Sequence, residues 1–273
     1  MKLQTAFSSI PLPQRQEKPR DRGITMMIDW GLPAAHQKDV IDTAGAYIDM
    51  AKLAGSIAGL MPKKIVEEKL SIYRAADIST SQGGLFAELA YKQGNIKQFF
   101  DEMKSFGFSA VEISDNLLDW NLVEKKKTIR CAVNDFGLRV LGEVGRKEGV
   151  MNDDEVLADL DACFDAGAAL VFVEAHELFA GDKIRSDLIA SIAKQFPLEK
   201  VIYELPVDLL PGVNRSFKHE VTAWMVKEFG TEVNLANVEW DELWVTDLVR
   251  RGAGGETSHP DGAYQLAGFE PED

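Results

Sequence analysis

Cysteine is scarce. Cys131 and Cys163 are the only two in 273 residues, and neither belongs to a CxxC pair or a Cys/His ligand spacing, which argues against a disulfide scaffold and a structural zinc site. Both fall in segments of helical periodicity, where a free thiol is an ordinary buried side chain. Long hydrophobic runs are missing as well. The longest apolar stretches reach about half of the roughly 20 residues that a spanning helix needs, and the N-terminus has no apolar signal-peptide core. No membrane partner and a cytoplasmic location are therefore expected. Basic charge is in deficit: 30 Lys and Arg stand against 44 Asp and Glu, a net charge of −14. A field of that sign repels nucleic-acid phosphates and anionic lipid headgroups, so no nucleic acid is expected as a partner. Finally, no GxGxxG follows the first β-rich run, which removes the usual argument for a doubly wound nucleotide-binding sheet.

What remains is the composition of an ordinary globular chain, 45% hydrophobic and 27% charged, able to bury a large single core. Residues 1–22 carry Pro11, Pro13 and Pro19 without sustained apolar periodicity and read as an arm that lies on the surface or closes one end of the domain. Residues 253–273 read as a loop and acidic tail. Between them, residues 23–252 alternate short β-rich runs with longer helical patterns. The strands are expected at Ile24 to Asp29, Tyr47 to Leu53, Ile78 to Ser81, Ala110 to Ile113, Arg139 to Val144, Leu170 to Glu174, Val201 to Glu204 and Val233 to Asn237. The helices are expected at Asp39 to Ala46, Lys63 to Ala75, Leu85 to Phe106, Val123 to Phe136, Asp153 to Ala166, Ile184 to Gln195, Ser216 to Phe229 and Trp240 to Arg251. Gly107, Gly137, Gly167 and Gly230 stand where helices must stop before the next strand. Eight such units in about 230 residues predict an α/β fold, a (β/α)8 TIM barrel.

In a barrel the site is built at the C-terminal ends of the strands. There the sequence places five carboxylates after apolar runs: Asp29, Glu112, Glu143, Glu174 and Glu204. Together they cannot stay ionised in a low dielectric without a compensating cation. Lys52, Lys147 and a divalent metal are the candidates, and oxygen-only ligands suit Mg²⁺. Lys147 follows the fifth strand through Gly145 and is the candidate general acid; Lys52 and His176 are the other candidates for proton transfer. Trp30 and Trp120 would wall the site or pack beside it. The expected ligand is a small anionic substrate, and a homo-oligomeric assembly stays open.

Several runs share a further pattern. Lys18-Pro19-Arg20, Ile28-Asp29, Tyr47-Ile48-Asp49-Met50-Ala51-Lys52, Val111-Glu112-Ile113-Ser114-Asp115, Glu143-Val144-Gly145-Arg146-Lys147 and Val233-Asn234-Leu235-Ala236-Asn237 with Asp241-Glu242 together resemble the phosphosulfolactate synthase family over residues 18 to 257. The Lys18-Pro19-Arg20 start and Leu60-Met61-Pro62-Lys63 also resemble plant heat-stress-associated barrel proteins. The family resemblance implies a (β/α)8 lyase that adds sulfite to C3 of phosphoenolpyruvate with Mg²⁺, giving 2-phospho-3-sulfolactate in coenzyme M biosynthesis, with Lys147 in the place of the family's general acid. His176 stands where that family carries an arginine, and the segment after Arg251 lacks another. A phosphate would then be held by backbone N–H groups of Gly252, Gly254 and Gly255, with Arg250, Arg251 or His176 supplying charge, and Arg146 and Asn237 are further candidates for binding the substrate. Two alternatives stay open: a same-barrel enzyme for a different, non-phosphorylated enoyl or enolate carboxylate, and a noncatalytic relative of the heat-stress type.

Overall fold

The eight apolar runs become eight strands in the computed structural model, which describes residues 6–7, 9–118, 121–146, 150–180, 183–207, 209 and 213–254. These are β1 (Thr25–Asp29), β2 (Met50–Leu53), β3 (Ser79–Gln82), β4 (Ala110–Ile113), β5 (Val140–Val144), β6 (Leu170–Val173), β7 (Val201–Glu204) and β8 (Leu235–Val238). They pair in parallel and in sequence order, and β8 closes onto β1. The helices are α1 (Ala34–Ala44), α2 (Lys63–Ala75), α3 (Gly84–Lys92), α4 (Ile96–Phe106), α5 (Leu122–Arg130), α6 (Asp153–Asp165), α7 (Ser186–Gln195), α8 (Arg215–Phe229) and α9 (Leu243–Arg250). The expected (β/α)8 barrel is the fold.

The departures have local causes. The single helix expected over 85–106 is broken into α3 and α4 by Gly94, whose φ of +75° only glycine adopts at little cost. The helix expected over 123–136 ends in a π turn at Cys131–Asp135. Helix α1 starts five residues earlier than expected, directly after Pro33, whose fixed φ suits a helix entrance. A short hairpin, Phe179–Ala180 with Lys183–Ile184, precedes α7. Among the described residues no helix is long and apolar enough to cross a membrane.

Strand alternation divides the core in two. Met26, Met50, Leu141, Phe172, Ile202 and Ala236 fill the barrel interior, while Met27, Ala51, Val111, Val140, Val171 and Tyr203 face the helices. The N-terminal ends of the strands are closed by cations. Arg250 is 1% exposed and donates to the carbonyls of Thr231, Val233 and Ile24. The arm lies on the same end: Arg15 pairs with Asp247, Arg20 donates to Asp49 Oδ1 at 2.9 Å, and Lys18 donates to Gly45 O at 3.3 Å.

Replacing Arg250 by Met removes the guanidinium donors of the Thr231, Val233 and Ile24 carbonyls, of which Ile24 O keeps Leu235 N as a donor. Urea unfolding should show a loss on the order of 3 kcal/mol; the same change at exposed Arg146 should stay within about 0.5 kcal/mol.

Candidate active site

Above the apolar interior, the next inward position on four strands is charged. Met50 is followed two residues on by Lys52, Ala110 by Glu112, Leu141 by Glu143 and Ile202 by Glu204, so alternation alone delivers one ammonium and three carboxylates to the C-terminal mouth. One oxygen from each of Glu112, Glu143 and Glu204 lies within 4.8 Å of the others, and all three residues are buried. Lys52 Nζ donates to Glu204 Oε1 at 2.5 Å, stands 3.5 Å from Glu112 Oε2, and lies 5.1 Å from the centre of the Phe172 ring. Backbone and amide donors fix the acids further. Gly84 N donates to Glu112 Oε1 at 2.7 Å, Asn116 Nδ2 to Glu143 Oε1 at 2.5 Å, and Asn237 Nδ2 to Glu204 Oε2 at 3.1 Å.

Asn237 reaches the mouth through an irregularity. Thr25 pairs with Leu235 but Met27 with Val238, so β8 carries one extra residue, and Asn237 takes φ +60°. This bulge turns its side chain inward beside that of Ala236, and asparagine tolerates the left-handed region better than most residues.

Three carboxylates against one ammonium leave two negative charges if all are ionised. Burial by itself drives Lys52 toward the neutral amine, but Glu112, Glu204 and Glu143 outweigh it and hold the ammonium well above the usual lysine range. Lys52 is therefore a fixed charge rather than a proton shuttle. One lysine cannot serve all three acids, and it sits with Glu204. Burial, reinforced by Glu143 and Glu204, accordingly pushes Glu112 well above the usual carboxylate range despite Lys52 and the Gly84 N–H. Several buried oxygens on β3, the loop after β4 and β8 have no hydrogen-bond partner among the described residues: Ser81 Oγ, Gln82 Oε1, Asn116 Oδ1 and Asn237 Oδ1. Excess negative charge with unpartnered oxygen acceptors fits a hard divalent cation, held by oxygen.

The other expected site residues fall elsewhere. Asp29 is not part of the cluster: on β1 it shares the face of Met27, not Met26, and its carboxylate accepts Gly31 N, Leu32 N and Tyr73 Oη and pairs with Lys69 at 2.8 Å, outside the barrel. Glu174 is buried one residue beyond β6, also outside the group of three. It packs against Gly145, where φ is +129° and an added Cβ would stand 2.6 Å from Glu174 Cβ. Arg250 is committed to the N-terminal face, opposite the mouth. Arg251 pairs with Asp247 and donates to Pro13 O there too, because α9 runs back down the barrel and ends at that face; Gly254 follows it. Arg146 and His176 are exposed on loops after β5 and β6. Lys147, Trp120 and Gly255 lie outside the described residues. Trp30 is on the rim, donating to Glu239 Oε1 at 3.2 Å.

Sequence reasoning missed Glu88 and Asn116, which orient these acids. Glu177, fully buried, accepts Arg146 N and Met151 N, one on either side of residues 147–149, and pairs with Arg185. Asn116 and Glu88 organise the loop after β4. The available signal was an acid at a core position of an amphipathic helix, Glu88 among Ala87, Ala90 and Leu85.

A parallel eight-stranded barrel with a buried acidic centre at the C-terminal mouth defines a (β/α)8 protein built as barrel enzymes are. The chain belongs to the ComA family, (2R)-phospho-3-sulfolactate synthase, whose family model matches residues 13–256. It is similar to the phosphosulfolactate synthase of Methanocaldococcus jannaschii, 33% identical over 247 residues that cover 86% of this chain and 94% of that protein. It is also similar to Protein HEAT-STRESS-ASSOCIATED 32 of Arabidopsis thaliana, 23% identical over 81% of this chain and 83% of that one. Among solved structures, the carboxyl transferase domain of Rhizobium etli pyruvate carboxylase superposes with a TM-score of 0.56 at 13% identity, covering 83% of this chain and 41% of that one. That likeness is one of fold.

The raised Glu112 carboxyl gives a sign to pH dependence. The folded state holds a proton that the unfolded chain releases near 4.3, so metal-free stability falls as pH rises from about 4.3 toward the raised value, by about 1.4 kcal/mol per unit of separation. With divalent ions chelated at pH 8, Glu112→Gln should melt above the wild type; added Mg²⁺ should raise the wild-type Tm and leave the variant's nearly unchanged.

Proposed function

We propose that this chain is a carbon–sulfur lyase of the phosphosulfolactate synthase type, joining sulfite to C3 of phosphoenolpyruvate to give 2-phospho-3-sulfolactate. The observation that carries the reading is the buried Glu112, Glu143 and Glu204 set around Lys52 in a chain of that family. Mg²⁺ is the ion it best suits, with those three acids as its protein ligands. When bound, the ion supplies positive charge against the charge that develops on the substrate carboxylate.

The chain's own groups account for the rest. A sulfur lone pair forms the bond to C3, the π electrons move toward C2 and the carboxylate, and a proton must then reach C2. Lys52 cannot give that proton readily, since its surroundings hold it as an ammonium; it keeps the acids from repelling one another and adds fixed charge beneath the substrate. Lys147, three residues beyond the end of β5, is assigned as the general acid. Arg146 and His176 on the rim supply charge for the substrate's anionic groups, and Asn237 orients Glu204 from β8. A small anionic substrate suits these roles, and fixed charges act on it most strongly where bulk water is excluded.

A second reading keeps the centre but replaces the substrate with a non-phosphorylated enoyl carboxylate. It is favoured by the position of Arg250 and Arg251 at the opposite face, which leaves fewer arginines for a phosphate at the mouth.

Sulfite consumption should require both phosphoenolpyruvate and Mg²⁺; equal rates on an acrylate lacking the phosphate would select the second reading. Lys147→Ala should lower turnover by roughly 10² to 10⁴ with the circular dichroism spectrum unchanged. Lys147→Arg should not restore it, because a guanidinium does not give up its proton at any useful pH. Full activity in folded Lys147→Ala would remove the assignment of the acid.

A further inference from the structure

Two groups hold the loop after β4: Lys125 pairs with Asp115 at 3.1 Å, and one carboxylate ties the residues on either side of it. Glu88, in the second turn of α3, is 2% exposed and accepts four donors. Ser114 Oγ and Asn116 N bond to Oε1, the latter at 3.0 Å, and Leu117 N and Leu118 N bond to Oε2, each at 2.8 Å. Four donors fill the acceptor sites of a carboxylate. Packing does little to hold the outer end of this loop, where Leu117 is 73% exposed. The hydrogen bonds therefore set its course.

That course decides where Asn116 stands. Its amide donates to Glu143 Oε1 at 2.5 Å, and its own Oδ1 is buried without a hydrogen-bond partner among the described residues. The same helix supplies the Gly84 N–H to Glu112, and at Gly84 an added Cβ would lie 2.2 Å from Ser114 Oγ. Helix α3 and the loop thus interlock around two of the three acids. Glu88 is not one of the three acids and bonds to none of them in the contacts above.

We propose that Glu88 is a positioning residue for the acidic centre: it fixes Ser114 to Leu118 so that Asn116 holds Glu143 in the orientation facing Glu112 and Glu204. The inference rests on the cation reading of that centre. Glu88→Gln keeps the shape but places an NH₂ group opposite N–H donors, so the loop loses acceptors and Asn116 its anchor. Outer groups that orient a ligand typically change metal affinity by roughly 10-fold to 100-fold when removed.

The test is Mn²⁺ titration of the full chain, followed by electron paramagnetic resonance without substrate. Wild type, Glu88→Gln, Asn116→Ala and the double variant are compared, with hydrogen exchange at the Leu117 and Leu118 amides recorded alongside. Glu88→Gln should bind Mn²⁺ about 10-fold more weakly or worse, its Leu117 and Leu118 amides should exchange faster, and the double variant should be no weaker than the poorer single variant, because both changes cut one chain of contacts. Wild-type affinity in Glu88→Gln despite fast exchange would overturn the proposal, as would additive losses. If Glu88→Gln does not fold, Ser114→Ala, which removes one of the four donors, carries the same test: a severalfold loss supports the proposal and an unchanged affinity overturns it. A wild-type protein that binds no Mn²⁺ would instead overturn the cation reading, and the positioning role with it.

Discussion

Three carboxylates share a low-dielectric space with a single ammonium, and most of the molecule's upper half is arranged around that imbalance. Like charges held within 4.8 Å of one another repel strongly when water is excluded. Each acid is accordingly tied by a donor that cannot drift: a backbone N–H at the start of α3 for Glu112, an asparagine amide for Glu143, and Lys52 with Asn237 for Glu204. The barrel contributes strands that deliver the charges at one level, and the loops contribute the donors. A centre of this kind costs stability in the absence of a cation, which is the usual relation between a prepared site and its scaffold.

Buried groups of lysine and acid recur outside the barrel. Lys69 meets Asp29 between β1 and α2, Lys125 meets Asp115 and Asp159 behind β5, and Lys218 meets Glu239 and Glu242 beside α8. Lys125 also donates to the carbonyl of Glu143 at 2.7 Å. Burial, with Asp159 nearby, pushes Asp115 up to about 8 against the pull of Lys125. In each case a long helical side chain reaches at least one acid at or just beyond the end of a strand. These groups tie loops and helices together, and the centre differs from them in gathering three acids around one lysine inside the barrel.

Much of the fold was legible because strand and helix periodicities differ and glycine marks the helix ends. The acids of the centre were legible for a simpler reason: Glu112, Glu143 and Glu204 each stand last or next to last in a largely apolar strand, where a charge has no reason to be unless the strand opens onto a mouth. Asp29 satisfied that rule and still belongs elsewhere, since a charge at a strand end faces inward or outward according to parity, and Met27 sets its parity outward. Arg250 and Arg251 were misplaced by proximity in sequence to the eighth strand. The helix between carries the chain the full height of the barrel, so residues after it belong to the other face. Glu88 and Asn116 were invisible for a different reason. Their roles depend on the path of loops, which hydrophobic pattern does not encode.

The bulge at Asn237 has an architectural meaning. Leu235 and Val238 face the helices and Ala236 the interior, so with Asn237 taken out of the count the strand alternates without a fault. The residue is supernumerary to the sheet: it belongs to the mouth but not to the ladder that supports the mouth. A barrel has few places where a side chain can be added without displacing a core residue or shifting the register of a neighbour, and this is one. Variation at that point can retune the chemistry above it while the hydrogen-bonded frame on either side keeps its spacing.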